Sequence, residues 1–211
     1  MSVIRQSYCL FFLCFFLLGF VSSEAALNRA MVSSQDEYAS EVGVEILKNG
    51  GNAVDAAVAV AYTLAVTHPR AGNIGGGGFM LVYIKEDDKV YAIDFREKAP
   101  YLAYKDMFLD DQGNVDNEKA RRSIFSVGVP GTVAGLELAY DTFGSYSRSL
   151  LLQPAIELAQ KGFIVDSDQK KILEEKKAWL IKDKWFRRLF YDKKSGDYKP
   201  KDRVVQKQLA R

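Results

Sequence analysis

Gly50-Gly51-Asn52-Ala53-Val54-Asp55-Ala56-Ala57-Val58-Ala59-Val60-Ala61 opens the stretch whose reading decides the fold. It runs on through Gly72-Asn73-Ile74-Gly75-Gly76-Gly77-Gly78 and ends in Ile93-Asp94-Phe95-Arg96-Glu97-Lys98-Ala99-Pro100. Residues 53–66 are apolar on nearly every face, and a helix of that kind must be covered all round. Its many alanines let neighbouring elements approach closely, so the spacing predicts a central helix packed on a sheet. Asn52 can cap it with Asp55 in its first turn, favourable to the helix dipole, and His68-Pro69 stops it. Gly78–Ile84 and Val90–Phe95, joined by the charged residues 85–89, read as an antiparallel hairpin. Helix, glycine corner, hairpin and a single arginine in that order suggest a small-molecule site.

Working outward, Tyr38, Val42 and Ile46 lie four apart, which predicts a helix over 36–48 ended by Asn49-Gly50-Gly51. Val129-Pro130-Gly131 opens a helix through Tyr140 that Gly144 ends. Another follows Pro154 and ends at Gly162. From Asp168 to Arg188 the pattern is helical and amphipathic, with Ile172, Leu173, Trp179, Leu180, Trp185 and Phe186 set among Lys and Glu.

The first residues carry a targeting signal. Arg5 precedes the almost unbroken apolar run Tyr8–Val21, and small residues follow at Ser22, Ser23, Ala25 and Ala26. Fourteen residues are short for about 30 Å of hydrocarbon but suit a signal peptide. Residues 1–23 are expected to be removed, with cleavage between about 23 and 26, leaving 27–211 as the folded portion of a periplasmic or secreted protein. An uncleaved anchor is the alternative. Both cysteines, Cys9 and Cys14, fall in this segment, so the mature chain is expected to have no disulfide and no thiol nucleophile.

Composition excludes little else. With 48% hydrophobic and 27% charged residues, the 211-residue chain can build an ordinary core, and global disorder is excluded. The net charge of +2 is unevenly spread, since residues 161–211 hold 16 Lys and Arg against 8 Asp and Glu. Those charges are interleaved along helical faces, which favours a solvated surface over nucleic-acid or membrane binding. With one histidine, His68, neither a Ser-His-Asp site nor a zinc site is expected. Asp110–Glu118 is acidic, but aligning Gly113 with the sixth position of a calcium loop puts Phe108 in the first, where a carboxylate is needed. No metal and no cofactor are expected.

The glycine run is neither a Walker A loop, since no Gly-Lys-Ser/Thr follows, nor a dinucleotide fingerprint, which needs strand, loop, helix in that order. Two readings remain: a corner where the backbone passes close to the buried helix, or exposed N–H groups lining a ligand site. Arg96 likewise has two readings. It is a surface arginine paired with Glu97, or a two-pronged donor for a carboxylate.

Taken together these residues resemble the gamma-glutamyltransferase (gamma-glutamyl transpeptidase, glutathione hydrolase) family. The resemblance rests on Ala30–Ser34, Gly43–Ala57, Leu64–Pro69, Gly75–Met80, Ile93–Glu97, Val129–Gly135, Gln153–Ala155 and Gly162-Phe163, and covers roughly residues 29–211. It is closest to exported bacterial members. It implies an α+β fold, the α-β-β-α sandwich of N-terminal-nucleophile hydrolases, of which only the N-terminal part is present. It implies a precursor that cuts itself into two subunits, and a threonine at the new N-terminus that forms an acyl-enzyme from the gamma-glutamyl amide of glutathione or related compounds. Water, an amino acid or a peptide then resolves it. The threonine's own amine can serve as base, which agrees with the poverty of histidine.

By the same resemblance Arg96 holds the alpha-carboxylate of the gamma-glutamyl group, and the glycines serve close packing. Family members are more than twice as long, and the nucleophilic threonine with its processing site is absent from these residues. No catalytic residue is therefore assigned here. The small subunit is expected as partner, and the 211 residues alone are expected to be inactive. A related acylase or poly-gamma-glutamate hydrolase, or a non-catalytic truncated product, are the alternatives.

Overall fold

Asn52 starts the helix on which the rest is arranged. In the computed structural model, which describes residues 30–194 and 196–211, the Asn52 side chain accepts from the N–H groups of Val54 and Asp55. Asp55 returns the contact by accepting from Asn52 N–H at 2.8 Å, completing a capping box. The expected segment at 1–23 lies outside the described residues.

In chain order the elements begin with α1 (Glu37–Lys48), α2 (Ala53–Thr67), β1 (Phe79–Ile84), β2 (Lys89–Asp94) and α3 (Asn117–Arg122). They continue with a 3-10 turn at Ile124–Ser126, α4 (Thr132–Phe143), α5 (Arg148–Lys161), β3 (Phe163–Ile164) and α6 (Ser167–Glu175). The last are α7 (Lys177–Leu180), α8 (Lys184–Phe190), β4 (Tyr191–Lys194), β5 (Asp197–Pro200) and β6 (Arg203–Val204). Strands pair as β1–β2, β3–β6 and β4–β5, all antiparallel. Residues 32–211 make one compact unit.

The central helix is as expected, but its cover is mostly helical. α1, α4 and α5 pack on α2, and the hairpin adds only its inner face. Val54, Ala56, Val58 and Ala59 of α2 share a core with Ile46, Leu136, Ala139 and Leu151 from the three helices and with Val82 and Ile93 from the hairpin. Further along, Val66 joins Ala155, Ala159, Phe163, Leu173, Phe190 and Val204 in a second cluster. The end of α2 is satisfied from far away in sequence: Gln206 donates to Val66 O at 2.8 Å and Gln169 to Thr67 O at 3.1 Å.

Local signals placed most boundaries. Asp36 caps α1 through Ala39 N–H, and Gly50 and Gly162 follow α1 and α5 at φ of 95° and 84°, where a β-carbon is penalised. The hairpin register pairs Leu81 with Ala92, and the turn needs four residues where five were expected, because Lys89 still pairs with Ile84.

Two expectations fail. α5 starts at Arg148, so Pro154 sits inside it. The proline forfeits one backbone hydrogen bond, and burial of Leu151 and Ala155 against α2 holds the helix together through it. The pattern over 168–188 is three helices, not one. Asp166 and Asp183 each turn a carboxylate to the N–H three residues ahead, at 2.7 and 2.6 Å, so each begins a new helix.

Candidate substrate-binding site

Arg96 lies just past the end of β2, where hydrophobic alternation carries on beyond the regular strand. Ile93 is buried, Asp94 exposed, Phe95 half-buried and Arg96 exposed. Side chains in an extended segment point alternately to opposite faces, so the inward turn of Phe95 sends Arg96 outward.

The backbone around Arg96 is held on both sides. Phe95 and Gly78 exchange two hydrogen bonds, at 3.0 and 3.3 Å, and Lys98 and Val129 exchange two more, at 3.2 and 2.8 Å. Arg96 N–H donates to Asp94 Oδ1 at 3.0 Å. Among the described residues no carboxylate lies within ion-pair distance of the Arg96 guanidinium, so the reading in which it pairs with Glu97 is not what the structure shows. All its fork of donors is left for another acceptor.

Glycine accounts for how tightly this segment is framed. A β-carbon on Gly77 would stand 2.6 Å from Phe95 O, and one on Gly78 2.9 Å from the Phe95 ring. A β-carbon on Gly131 would overlap Phe95 O, and one on Gly135 would overlap the side chain of Phe95. Gly131 and Thr132 N–H both donate to Gly76 O, at 2.8 and 3.0 Å, tying the head of α4 to the run. Gly72 meets the end of α2 instead, its missing β-carbon 2.7 Å from the Leu64 backbone. Of the two readings of the run, close backbone packing is the one these contacts support.

The remaining candidates have structural places. His68 ends α2, its N–H donating to Leu64 O at 2.8 Å, and its Nε2 is buried without a hydrogen-bond partner among the described residues. Asp110 turns its carboxylate onto the N–H groups of Gln112 and Asn114, at 2.9 and 2.8 Å. Hydrogen bonds from that loop, Asn114 N–H foremost, hold its carboxyl below the usual range. No cluster of three or more His, Cys, Asp or Glu fit to hold a metal ion occurs among the described residues. The basic segment 161–211 is interleaved with acids, as in Lys170–Asp202 and Lys177–Asp197, at 2.6 and 3.0 Å.

Two things, one at the site and one away from it, escape a reading of the sequence. One is the seat of Phe95 against α4. Its only local trace is Gly135, a glycine inside a helix where alanine would be favoured by about 1 kcal/mol. The other is the carboxylate of Asp55. Read from the sequence only as a favourable charge in the first turn of the helix, it is fully buried and accepts from Ser145 N–H, Ser145 Oγ and Tyr146 N–H as well as Asn52.

The fold is the N-terminal part of that of an N-terminal-nucleophile hydrolase. The structure aligns with the gamma-glutamyltranspeptidase of Helicobacter pylori at a TM-score of 0.81 and 43% identity, over 87% of this chain and 52% of that one. Residues 39–211 match the sequence profile named Gamma-glutamyltranspeptidase, and the chain belongs to that family. It is 49% identical over 184 residues to a glutathione hydrolase proenzyme of Escherichia coli, covering 87% of this chain and 32% of the relative. A glutathione hydrolase proenzyme of Pseudomonas aeruginosa is 54% identical over 145 residues, which is 69% of this chain and 26% of that one. The chain thus spans about a third of the length of the curated relatives it matches.

Proposed function

We propose that the complete protein is a gamma-glutamyltransferase acting as a glutathione hydrolase, and that Arg96 binds the alpha-carboxylate of its gamma-glutamyl substrates. A gamma-glutamyl group carries its carboxylate at the end remote from the scissile amide. A planar guanidinium meets such a group with two parallel hydrogen bonds. The observation that carries the reading is Arg96 itself: exposed, framed on both sides by backbone hydrogen bonds, and with no carboxylate of the described residues in ion-pair reach, in a chain of this family.

The nucleophilic threonine is supplied from outside these 211 residues. It attacks the amide carbonyl, cysteinylglycine leaves with the proton, and an acceptor amine or water releases the glutamyl group. Export to the periplasm or medium follows from residues 1–23, and residues 27–211 form the N-terminal portion of the large subunit.

The test is turnover of glutathione and of gamma-glutamyl-4-nitroanilide by the complete gene product, with the 211 residues expressed alone as control. The complete product is expected to release 4-nitroaniline and the 211 residues none. Release by the 211 residues, abolished by Arg96→Ala, would overturn the assignment of the nucleophile elsewhere.

The hairpin gives this control a second readout. Its outer face carries Phe79, Leu81, Tyr83 and Val90, which are 67%, 74%, 59% and 64% exposed. An apolar face of that kind belongs against another layer. The 211 residues alone are therefore expected to bind an apolar fluorescent dye or to aggregate, and the complete protein is not. A dye-silent, monomeric 211-residue protein would count against it.

A further inference from the structure

We infer that Gly131 and Gly135, at the head of α4, are positioning residues for Arg96: by lacking β-carbons they form the notch that receives Phe95, and the seating of Phe95 sets where the neighbouring guanidinium reaches. The inference rests on the reading of Arg96 as the carboxylate-binding group. Three observations meet here. The backbone of Phe95 is tied to Gly78 by two hydrogen bonds, which leaves its side chain one face to occupy. On that face stands Gly135, whose added β-carbon would overlap the Phe95 side chain, while Gly131 closes the other wall of the notch against the Phe95 carbonyl, which a β-carbon there would overlap. Phe95 packs against the central core, and alternation then places Arg96 on the opposite, exposed face. A shift of Phe95 in its notch is passed along one peptide unit to Arg96, and a misplacement of about 1 Å in a binding group can cost on the order of a hundredfold in rate.

A positioning role differs from a merely structural one in what it does to discrimination. The 4-aminobutanoyl 4-nitroanilide matches gamma-glutamyl-4-nitroanilide except that it lacks the alpha-carboxylate. In the complete enzyme we expect the glutamyl substrate to be preferred in kcat/KM by roughly a hundredfold or more. Gly135→Ala is expected to lower kcat/KM for the glutamyl substrate by about tenfold or more, chiefly through KM, and to leave the 4-aminobutanoyl value within about threefold. Where Gly135→Ala does not fold, Phe95→Leu carries the same comparison, because it loosens the notch without adding an overlap.

Equal losses on both substrates, or no loss on either, would overturn the inference while leaving Arg96 in place. Retention of the full preference by Arg96→Ala would remove the reading of Arg96 and the inference with it.

Discussion

If Arg96 binds the alpha-carboxylate as proposed, replacing it by alanine in the complete enzyme is expected to lower kcat/KM for gamma-glutamyl-4-nitroanilide by about a hundredfold or more, because a bidentate, charge-assisted contact would be lost together with its charge. A hundredfold corresponds to roughly 2.7 kcal/mol of transition-state binding. The carboxylate lies several bonds from the scissile amide and on this proposal would be held in ground and transition states alike, so most of the loss should appear in KM. Arg96→Lys keeps the charge but not the planar fork and should fall between the two. Stability offers the complementary check. Arg96 is exposed, and its guanidinium has no carboxylate partner among the described residues, so thermal unfolding should shift by no more than about 0.5 kcal/mol equivalent. An Arg96→Ala enzyme with unchanged KM and kcat would refute the carboxylate contact.

Asp55→Ala is the substitution expected to cost most in stability, at about 3–5 kcal/mol, since it strands several buried donors around a lost charge. The Asp55 carboxylate is fully buried and ties the start of α2 to the loop between α4 and α5. Ser145→Ala, which removes a single bond of 2.8 Å, should cost only about 1 kcal/mol.

The pH dependence follows from the same bonds. Burial pushes the Asp55 carboxyl up, but the Asn52 N–H, the Ser145 hydroxyl and the N–H groups of Ser145 and Tyr146 outweigh it and hold it below its ordinary 3.8. A carboxyl depressed in the folded state binds its proton less readily there than when unfolded. Its stabilisation is therefore complete above about pH 4 and is lost as the pH falls through the folded value. Denaturation midpoints measured from pH 7 down to pH 3 should fall less steeply in Asp55→Asn than in the parent. Parallel curves would show that Asp55 contributes no such linkage.

How much of this was legible beforehand can be judged residue by residue. Asn52, Gly50, Gly162 and the hairpin strands act over a few residues, and their effects were readable as caps, stops and alternation. The membership of the family was readable too, because long motifs such as Gly43–Ala57 survive as text. α6, α7 and α8 look like one helix in the sequence because amphipathic periodicity continues through Lys176 and Asp183; Asp183 breaks it with a capping carboxylate, whereas Lys176 makes no side-chain cap. Pro154 reads as a helix start in the sequence because a proline's local cost is visible there, whereas the packing of Leu151 on α2 that offsets it is not.

For the site, Arg96 could be singled out from its place after an alternating strand, and its two readings could not be separated locally. Glu97 lies in the structure beside Gly77 and Gly128, about 20 residues before it and about 30 after it, and that neighbourhood is not visible in the residues next to Arg96. The amino-acid sequence by itself determined a central alanine-rich helix, a hairpin beside it, an arginine at the hairpin's end and the family to which they belong. The tertiary structure alone decided that Asp55 is buried, that Phe95 seats against Gly131 and Gly135, and that Arg96 has no carboxylate in ion-pair reach among the described residues. These are contacts between residues about 35 to 90 positions apart. Chain proximity carries no record of such contacts. They arise only when burial of the apolar faces brings the segments together.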